Sequence, residues 1–218
     1  MRSLWIGFAR LLIRGIFGVL FHVRVEGELP KSGPLIVVAN HQGWADGFVL
    51  AAAFPFAARV RFLGDRDGTM SVWWHRLLLT SLGLVIPIDR TRRSADRAAL
   101  GATMDALARG EVVIVFAEGR VSHAEATLGE FARGVGYLAL RSGAPVLPMW
   151  LSGTAELYLG RELVVAVGRP RPVAKAIATK AASRALAGRL HADLADLARP
   201  GVDAGSAPKR WRWLTDLF

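Results

Sequence analysis

The chain contains no cysteine, which excludes cysteine nucleophiles, thiolate metal sites and disulfide staples together while leaving the compartment open. No serine stands in a Gly-x-Ser-x-Gly elbow, so the serine-hydrolase arrangement is missing as well. The histidines, His22, His41, His75, His123 and His191, are scattered and form no metal-ligand cluster. There is no internal repeat, no low-complexity linker and no recognisable nucleic-acid module.

What is present bounds the answer further. A chain of 218 residues, 52% of them hydrophobic, is long enough for one well-buried domain and short for two, so one core domain with terminal extensions is expected. The formal charge of +10 comes from 28 basic against 18 acidic residues, and nearly all the basic ones are arginine. The planar guanidinium fork suits phosphate, which points to nucleic acid, an anionic membrane or a phosphate-bearing substrate. The apolar richness favours the last two.

Residues 1–22 read as an amphipathic helix. Leu4, Trp5, Ile6, Phe8, Leu11, Leu12, Ile13, Ile16 and Phe17 are apolar, while Arg10 and Arg14 are spaced to share one face. Each arginine at the centre of a membrane span costs about 2.5 to 3.5 kcal/mol, so a spanning helix is disfavoured. A helix lying in the interface is expected instead, with its apolar face in lipid and both guanidinium groups among lipid phosphates. An ordinary helix packed on the domain fits the same pattern. A cleaved signal peptide fits less well, because the arginines interrupt the apolar region.

The remainder alternates strand-like and helix-like pieces, which predicts an α/β fold: a single domain with a central, largely parallel sheet flanked by helices. Strands are expected at 23–28, 34–39, 60–63, 84–88, 112–116, 146–151 and 163–167, the last but one as an edge or bulged strand because prolines bracket it. Helices are expected at 45–54, 72–81, 94–109, 133–141 and 174–199. The tail after Pro200-Gly201 looks loosely ordered until Trp211-Arg212-Trp213-Leu214, where tryptophan favours a membrane interface. The division is therefore 1–22 membrane-associated helix, 23–200 core domain, and 201–218 tail, which fits membrane contact.

The stretch Asn40-His41-Gln42-Gly43-Trp44-Ala45-Asp46 follows a buried strand and opens a helix. Inside one helix His41 and Asp46 would point about 140° apart. With His41 on the preceding turn, the carboxylate can fold back onto one ring nitrogen, fixing the tautomer and leaving the other nitrogen as a base. A polar turn residue followed by a helix-start carboxylate has the same spacing. Two further clusters lie just beyond strand ends, where α/β sheets usually bind ligands. One is Asp89-Arg90-Thr91-Arg92-Arg93, and the other is Phe116-Ala117-Glu118-Gly119-Arg120-Val121-Ser122. Each alone also reads as a solvated or structural turn.

In order and spacing these stretches resemble the glycerolipid acyltransferase family typified by 1-acylglycerol-3-phosphate acyltransferases. His41 to Asp46 is similar to its His-x4-Asp block, Ile86-Pro87-Ile88-Asp89-Arg90 to a block ending in a phosphate-binding Arg, and Phe116 to Ser122 to its Phe-Pro-Glu-Gly block. Val146-Leu147-Pro148 resembles a fourth block, and Phe131-Ala132-Arg133-Gly134 a stretch that normally carries Lys at the Arg133 position. The resemblance covers roughly residues 20–170. Ala117 stands where proline is usual, Arg120 follows Gly119 without an intervening residue, and Asp65-Arg66-Asp67 is more acidic than its usual counterpart.

The resemblance implies acyl transfer from acyl-CoA or acyl carrier protein, as donor substrates, to a lysophospholipid hydroxyl, with 1-acylglycerol 3-phosphate as the expected acceptor. Lysophosphatidylethanolamine, glycerol 3-phosphate, a non-phosphate lipid, or a non-catalytic lipid-binding role are the alternatives. His41 and Asp46 would be catalytic, and Arg90, Glu118, Gly119 and Arg120 would bind substrate. No cofactor or metal is implied. Membrane lipids are the expected partners at the cytoplasmic face of the cell membrane, with no nucleic acid involved. The oligomeric state is left open.

Overall fold

The structure, a computed structural model, describes residues 2–65, 84–88, 93–201 and 208–217. Within them, helix α1 (Arg2–Leu20) leads into strand β1 (Phe21–Glu26), followed by β2 (Leu35–Ala39), α2 (Ala45–Ala53), β3 (Val60–Asp65) and β4 (Val85–Ile88). Then come α3 (Arg93–Ala108), β5 (Val112–Phe116), α4 (Gly134–Ser142), β6 (Val146–Ser152), β7 (Arg161–Val167) and α5 (Lys180–Ala195). A short 3-10 helix, Arg212–Asp216, closes the chain.

The seven strands form one sheet in the order β1-β7-β6-β2-β5-β3-β4. Every pairing is parallel except β6 with β7, so β1 and β7 run against the rest. That reversal is the one feature a reading of alternating strands and helices does not contain. The parallel part is covered on both faces, as parallel sheets must be. Along β2 the side chains alternate with the period of a strand. Leu35, Val37 and Ala39 face the cluster of α1 and α2, with Phe17, Val49, Leu50 and Phe54. Ile36 and Val38 face α3, α4 and α5, with Leu107, Leu138, Leu186 and Leu190. Gly136 lets α4 and α5 approach closely, since a Cβ there would lie 2.0 Å from the Ser183 carbonyl oxygen.

Several boundaries differ from expectation. The first helix stops at Leu20 and β1 begins at Phe21, so the N-terminal helix ends two residues before His22. The alanine-rich helix begins at Lys180 rather than Ala174, where Thr179 caps it by accepting from the Ala182 N–H at 3.2 Å. β6 is not an edge strand: it lies between β2 and β7 and is buried throughout. Its Pro148 is tolerated because β7 has already ended beside it, and Gly168 N–H donates to the Pro148 carbonyl at 2.9 Å. The helix expected at 72–81 lies outside the described residues.

Helix α1 corrects the expectation that both guanidinium groups lie among lipid phosphates. Arg10 is buried at 3% exposure and closes the C-terminal end of α2. It donates to the carbonyls of Ala51 at 3.1 Å, Phe54 at 2.6 Å, Pro55 at 3.2 Å and Ala58 at 2.8 Å. Ala51 and Phe54 are acceptors of the helix end, whose negative pole favours a cation, and Pro55 and Ala58 belong to the turn after it. Burial first, and then the nearby charge of Arg14, lower the Arg10 pKa from its ordinary value. Arg14 is exposed and lies 5.8 Å from the Phe56 ring centre. The opposite face of α1 turns Phe8, Leu12, Ile16 and Val19 to the outside, one stripe at helical spacing. No helix among the described residues is long and apolar enough to cross a membrane.

At the sheet rim where β5 begins, Glu111 is buried between Arg61, at 3.0 Å, and Arg109, at 3.1 Å. Burial alone would raise its pKa, but the hydrogen bond from Arg109 and the charge and hydrogen bond of Arg61 outweigh it and hold the carboxyl below its ordinary value.

Replacing Arg10 by Met leaves buried carbonyls unsatisfied and is expected to remove about 2 to 4 kcal/mol of stability. In a domain of this size that is a fall in Tm of roughly 5 to 15 °C by calorimetry. Lys at position 10 should recover less than half of it, because one ammonium cannot match the fork. For Glu111 the folded pKa is the depressed one, so its contribution is complete above the ordinary carboxylate range and is lost as pH falls through that range and below. Denaturant titrations from pH 7 to pH 3 should therefore show a steeper acid loss in wild type than in Glu111→Gln.

Candidate active site

Strands β2 and β5 pair in register with Ala39 opposite Phe116. His41 and Glu118 each lie two residues beyond that pair, so both leave the sheet at the same rim. β4 also ends at this rim at Ile88, by its parallel pairing with β3. Arg90, the expected phosphate ligand, lies outside the described residues.

The turn between β2 and α2 is built around the Asp46 carboxylate, which is fully buried in the first turn of the helix. Its Oδ2 accepts from His41 Nδ1 at 2.7 Å, from the Gln42 N–H at 2.6 Å and from the Gly43 N–H at 2.9 Å. The last two fold the carboxylate back over the turn, and the first holds the ring. An anion at a helix N-terminus gains further from the dipole. His41 stacks on Phe116 with ring centres 4.1 Å apart and 17° between planes, so the ring has one allowed attitude. Its side chain is 18% exposed, and its Nε2 has no hydrogen-bond partner among the described residues. An imidazole with Nδ1–H fixed on a carboxylate presents Nε2 as the basic atom.

The backbone around His41 is tied on three sides. Its N–H donates to Glu118 Oε1 at 3.2 Å, and its carbonyl accepts from the Ser122 N–H at 2.7 Å. Asn40, buried, bonds Leu151 in both directions, at 2.9 Å to the carbonyl and 2.7 Å from the N–H, continuing the ladder toward β6 with a side chain. Gln42, also buried, accepts from Thr154 Oγ1 at 3.2 Å. Gly43 lets the chain pass Thr154, whose carbonyl oxygen would be 2.7 Å from a Cβ.

Glu118, expected among the substrate-binding residues, engages both carboxylate oxygens with backbone: Oε2 accepts from the Gly129 N–H at 2.7 Å. It therefore straps the loop after β5 onto the His41 turn. Gly119 adopts φ +72°, which suits glycine, and its N–H closes a turn onto the Phe116 carbonyl at 3.1 Å. Arg120 is exposed at the same loop. Gly129 and Thr154 lie outside the stretches the sequence points to, and Phe116 stands in one of them with no contact to His41 assigned to it. Only Phe116 carried a signal, as the last residue of a strand that ends beside the histidine.

The N-terminal flank and the C-terminal segment meet at this turn. Trp44 packs edge-on against Phe17 of α1, with ring centres 6.2 Å apart, and its Nε1 donates to the Leu214 carbonyl at 2.9 Å.

Comparison with known proteins places this arrangement. The chain is 28% identical over 164 residues to 1-acyl-sn-glycerol-3-phosphate acyltransferase alpha of Ovis aries, covering 73% of this chain and 54% of that one. It is 32% identical over 162 residues to an uncharacterized protein of Mycobacterium tuberculosis, covering 68% and 42%. The chain thus spans about half the length of the curated relatives it matches. Among solved structures, the 1-acyl-sn-glycerophosphate acyltransferase PlsC of Thermotoga maritima superposes with a TM-score of 0.67 at 22% identity, over 90% of this chain and 80% of that one, which shows a shared fold. A model of the acyltransferase family matches residues 21–152, from β1 to the end of β6 and across the whole His41 site, and the chain belongs to that family.

Proposed function

We propose that the protein transfers an acyl group from a thioester donor, acyl-CoA or acyl carrier protein, to the free hydroxyl of a lysophospholipid, with 1-acylglycerol 3-phosphate as the acceptor. The observation that carries the reading is the 2.7 Å contact of His41 Nδ1 with Asp46, which leaves Nε2 as the working edge of a ring held by Phe116. Membership of the acyltransferase family and the relatives' names supply the reaction class.

His41 Nε2 takes the proton from the acceptor hydroxyl as its oxygen attacks the thioester carbonyl carbon. Asp46 keeps the ring in the required tautomer and stabilises the imidazolium that forms. Collapse of the tetrahedral intermediate breaks the carbon–sulfur bond, and the same imidazolium returns the proton to the departing thiolate, giving ester and free thiol. A positioned base supplies about 10² to 10⁴ in rate, and holding both substrates together supplies much of the rest. Arg90 and Arg120 are the guanidinium groups assigned to the acceptor phosphate, with Gly119 allowing close approach of backbone. Glu118 acts by position, holding the His41 backbone and the 119–129 loop, instead of touching substrate.

The outer stripe of α1 supports a protein bound peripherally at the membrane surface, where its lipid substrate resides. The cytoplasmic face is the assignment consistent with acyl-CoA or acyl carrier protein as donor.

Purified protein in detergent, offered a panel of lysolipids with acyl-CoA and acyl carrier protein in parallel, tests the reading. Wild type should acylate a phosphate-bearing lysolipid, and His41→Ala should lower kcat by roughly 10² to 10⁴ with its melting curve unchanged. Full activity of His41→Ala, or no transfer to any acceptor, overturns it. Glu118→Gln places an amide N–H against a backbone N–H, at Gly129 or at His41. The expected outcome is a stability loss of about 1 to 3 kcal/mol by chemical denaturation, together with a fall in kcat at little-changed KM.

A further inference from the structure

The peripheral-membrane reading rests on α1, and the C-terminal segment, whose tryptophans suit a membrane interface by sequence alone, enters it only through the way the structure holds that segment. In that segment Trp211 and Trp213 are 50% and 58% exposed, and Leu217 is exposed beside them. Arg210 and Arg212 alternate with the tryptophans and are exposed too. Leu214, in the same short helix, is buried. The segment is therefore not a loose tail: one residue is plugged into the domain while its aromatic neighbours are held out of it.

What holds it is specific. Leu157 N–H donates to Thr215 Oγ1 at 2.9 Å, which donates in turn to the Leu157 carbonyl at 3.1 Å. Leu159 N–H donates to the Arg210 carbonyl at 2.9 Å, and Lys209 pairs with Glu156 at 2.7 Å. Trp211 is held at φ +62°, a conformation a bulky side chain adopts only where its surroundings over-determine it. The next residue of the same loop, Gly160, donates its N–H to the Leu20 carbonyl at the end of α1, at 2.7 Å. One loop, at consecutive residues, thus joins the tail to α1, and Trp44 joins both to the His41 turn.

We propose that residues 208–217 form a second bilayer contact beside α1, whose partner is an anionic phospholipid surface. The proposal rests on the reading of the protein as membrane-associated. The chemistry fits that partner. Indole rings favour the headgroup level, the exposed Arg210 guanidinium beside them meets lipid phosphate while Arg212 is paired with Glu156 at 2.8 Å, and the chain's charge of +10 complements an anionic leaflet. The contact seats the molecule at two points flanking Trp44, so that docking on the bilayer and the attitude of the His41 turn share one support.

The full-length protein is tested by co-sedimentation with vesicles of phosphatidylglycerol and phosphatidylcholine, and with phosphatidylcholine alone, at 0.1 M salt. Wild type should bind the anionic vesicles, and W211A/W213A should lower the partition coefficient by roughly tenfold. Arg210→Glu should weaken binding to the anionic vesicles only. Leu12→Asp with Val19→Asp on the outer face of α1 is the parallel arm for the first contact. Should a variant misfold, W211F/W213F in vesicles with brominated acyl chains replaces it, and the loss of most of the wild-type tryptophan quenching is the expected result.

If W211A/W213A binds as wild type does while the α1 variant is released, the tail is no bilayer contact and the membrane reading stands. If the tail variant changes only oligomeric state or binding of acyl carrier protein, a protein partner covers the segment and the proposal falls. Wild type bound to neither vesicle overturns both the proposal and the membrane reading. Acyl transfer in detergent decides the catalytic reading separately.

Discussion

One carboxylate oxygen, Asp46 Oδ2, gathers the His41 ring and two backbone N–H groups at the start of α2. Without it the turn after β2 would have two amide donors with no acceptor and an imidazole free to choose its tautomer. The arrangement is compact because the acceptor sits in the helix and the donors precede it, so the dipole, the turn and the ring all act on the same charge. Burial strengthens each of these contacts, since water does not compete for the oxygen.

That point is only as rigid as the strand end that carries it. β2 is the central element of the sheet, with every side chain buried, and its C-terminal end is joined sideways by side chains where the backbone ladder stops. Asn40 extends the pairing to β6, Gln42 reaches Thr154 beyond it, and Glu118 and Ser122 fasten the loop after β5. The polar residues of the motif thus divide into two kinds. His41 is left with a nitrogen unengaged among the described residues, while Asn40, Gln42, Asp46 and Glu118 are occupied with holding its turn. The base role proposed for His41 gains from this division, because a misplacement of about 1 Å at the reacting atoms is enough to lose much of the rate.

How much of this was legible in the sequence follows from which interactions are local. The contact of His41 with Asp46 spans five residues and one strand-to-helix turn, so spacing and strand position allow the fold-back of the carboxylate beside a plain turn-and-helix-start reading, and the family resemblance chooses between them. The parallel sheet followed from alternation of apolar strands and helices. The reversed β7 did not, because the 153–160 connection that turns the chain carries no signal distinguishing a hairpin-like return from a crossover. β6, expected as an edge or bulged strand, lies inside the sheet because the acceptability of Pro148 depends on where a neighbouring strand ends and not on its own backbone alone. The role of Glu118 was equally out of reach, since its acceptors' partners lie 77 residues upstream and 11 downstream.

Helix α1 shows the limit of periodicity in another way. Its pattern correctly separates an apolar stripe from an arginine-bearing face, but amphipathicity alone does not say which face meets protein. An exposed arginine face was the natural assumption, because burying a guanidinium is costly. Here the cost is met by a helix end and the turn after it, which offer Arg10 the carbonyls of Ala51, Phe54, Pro55 and Ala58, and Phe17 beside Arg10 on that face completes the packing against Trp44 and Phe48. The consequence reverses the usual orientation for Arg10, which is turned inward while Arg14 stays exposed, and an apolar stripe is left outside. A guanidinium buried on the inner side of α1 thus accompanies an exposed hydrophobic stripe on its outer side, and that stripe is the surface on which the proposed membrane contact rests.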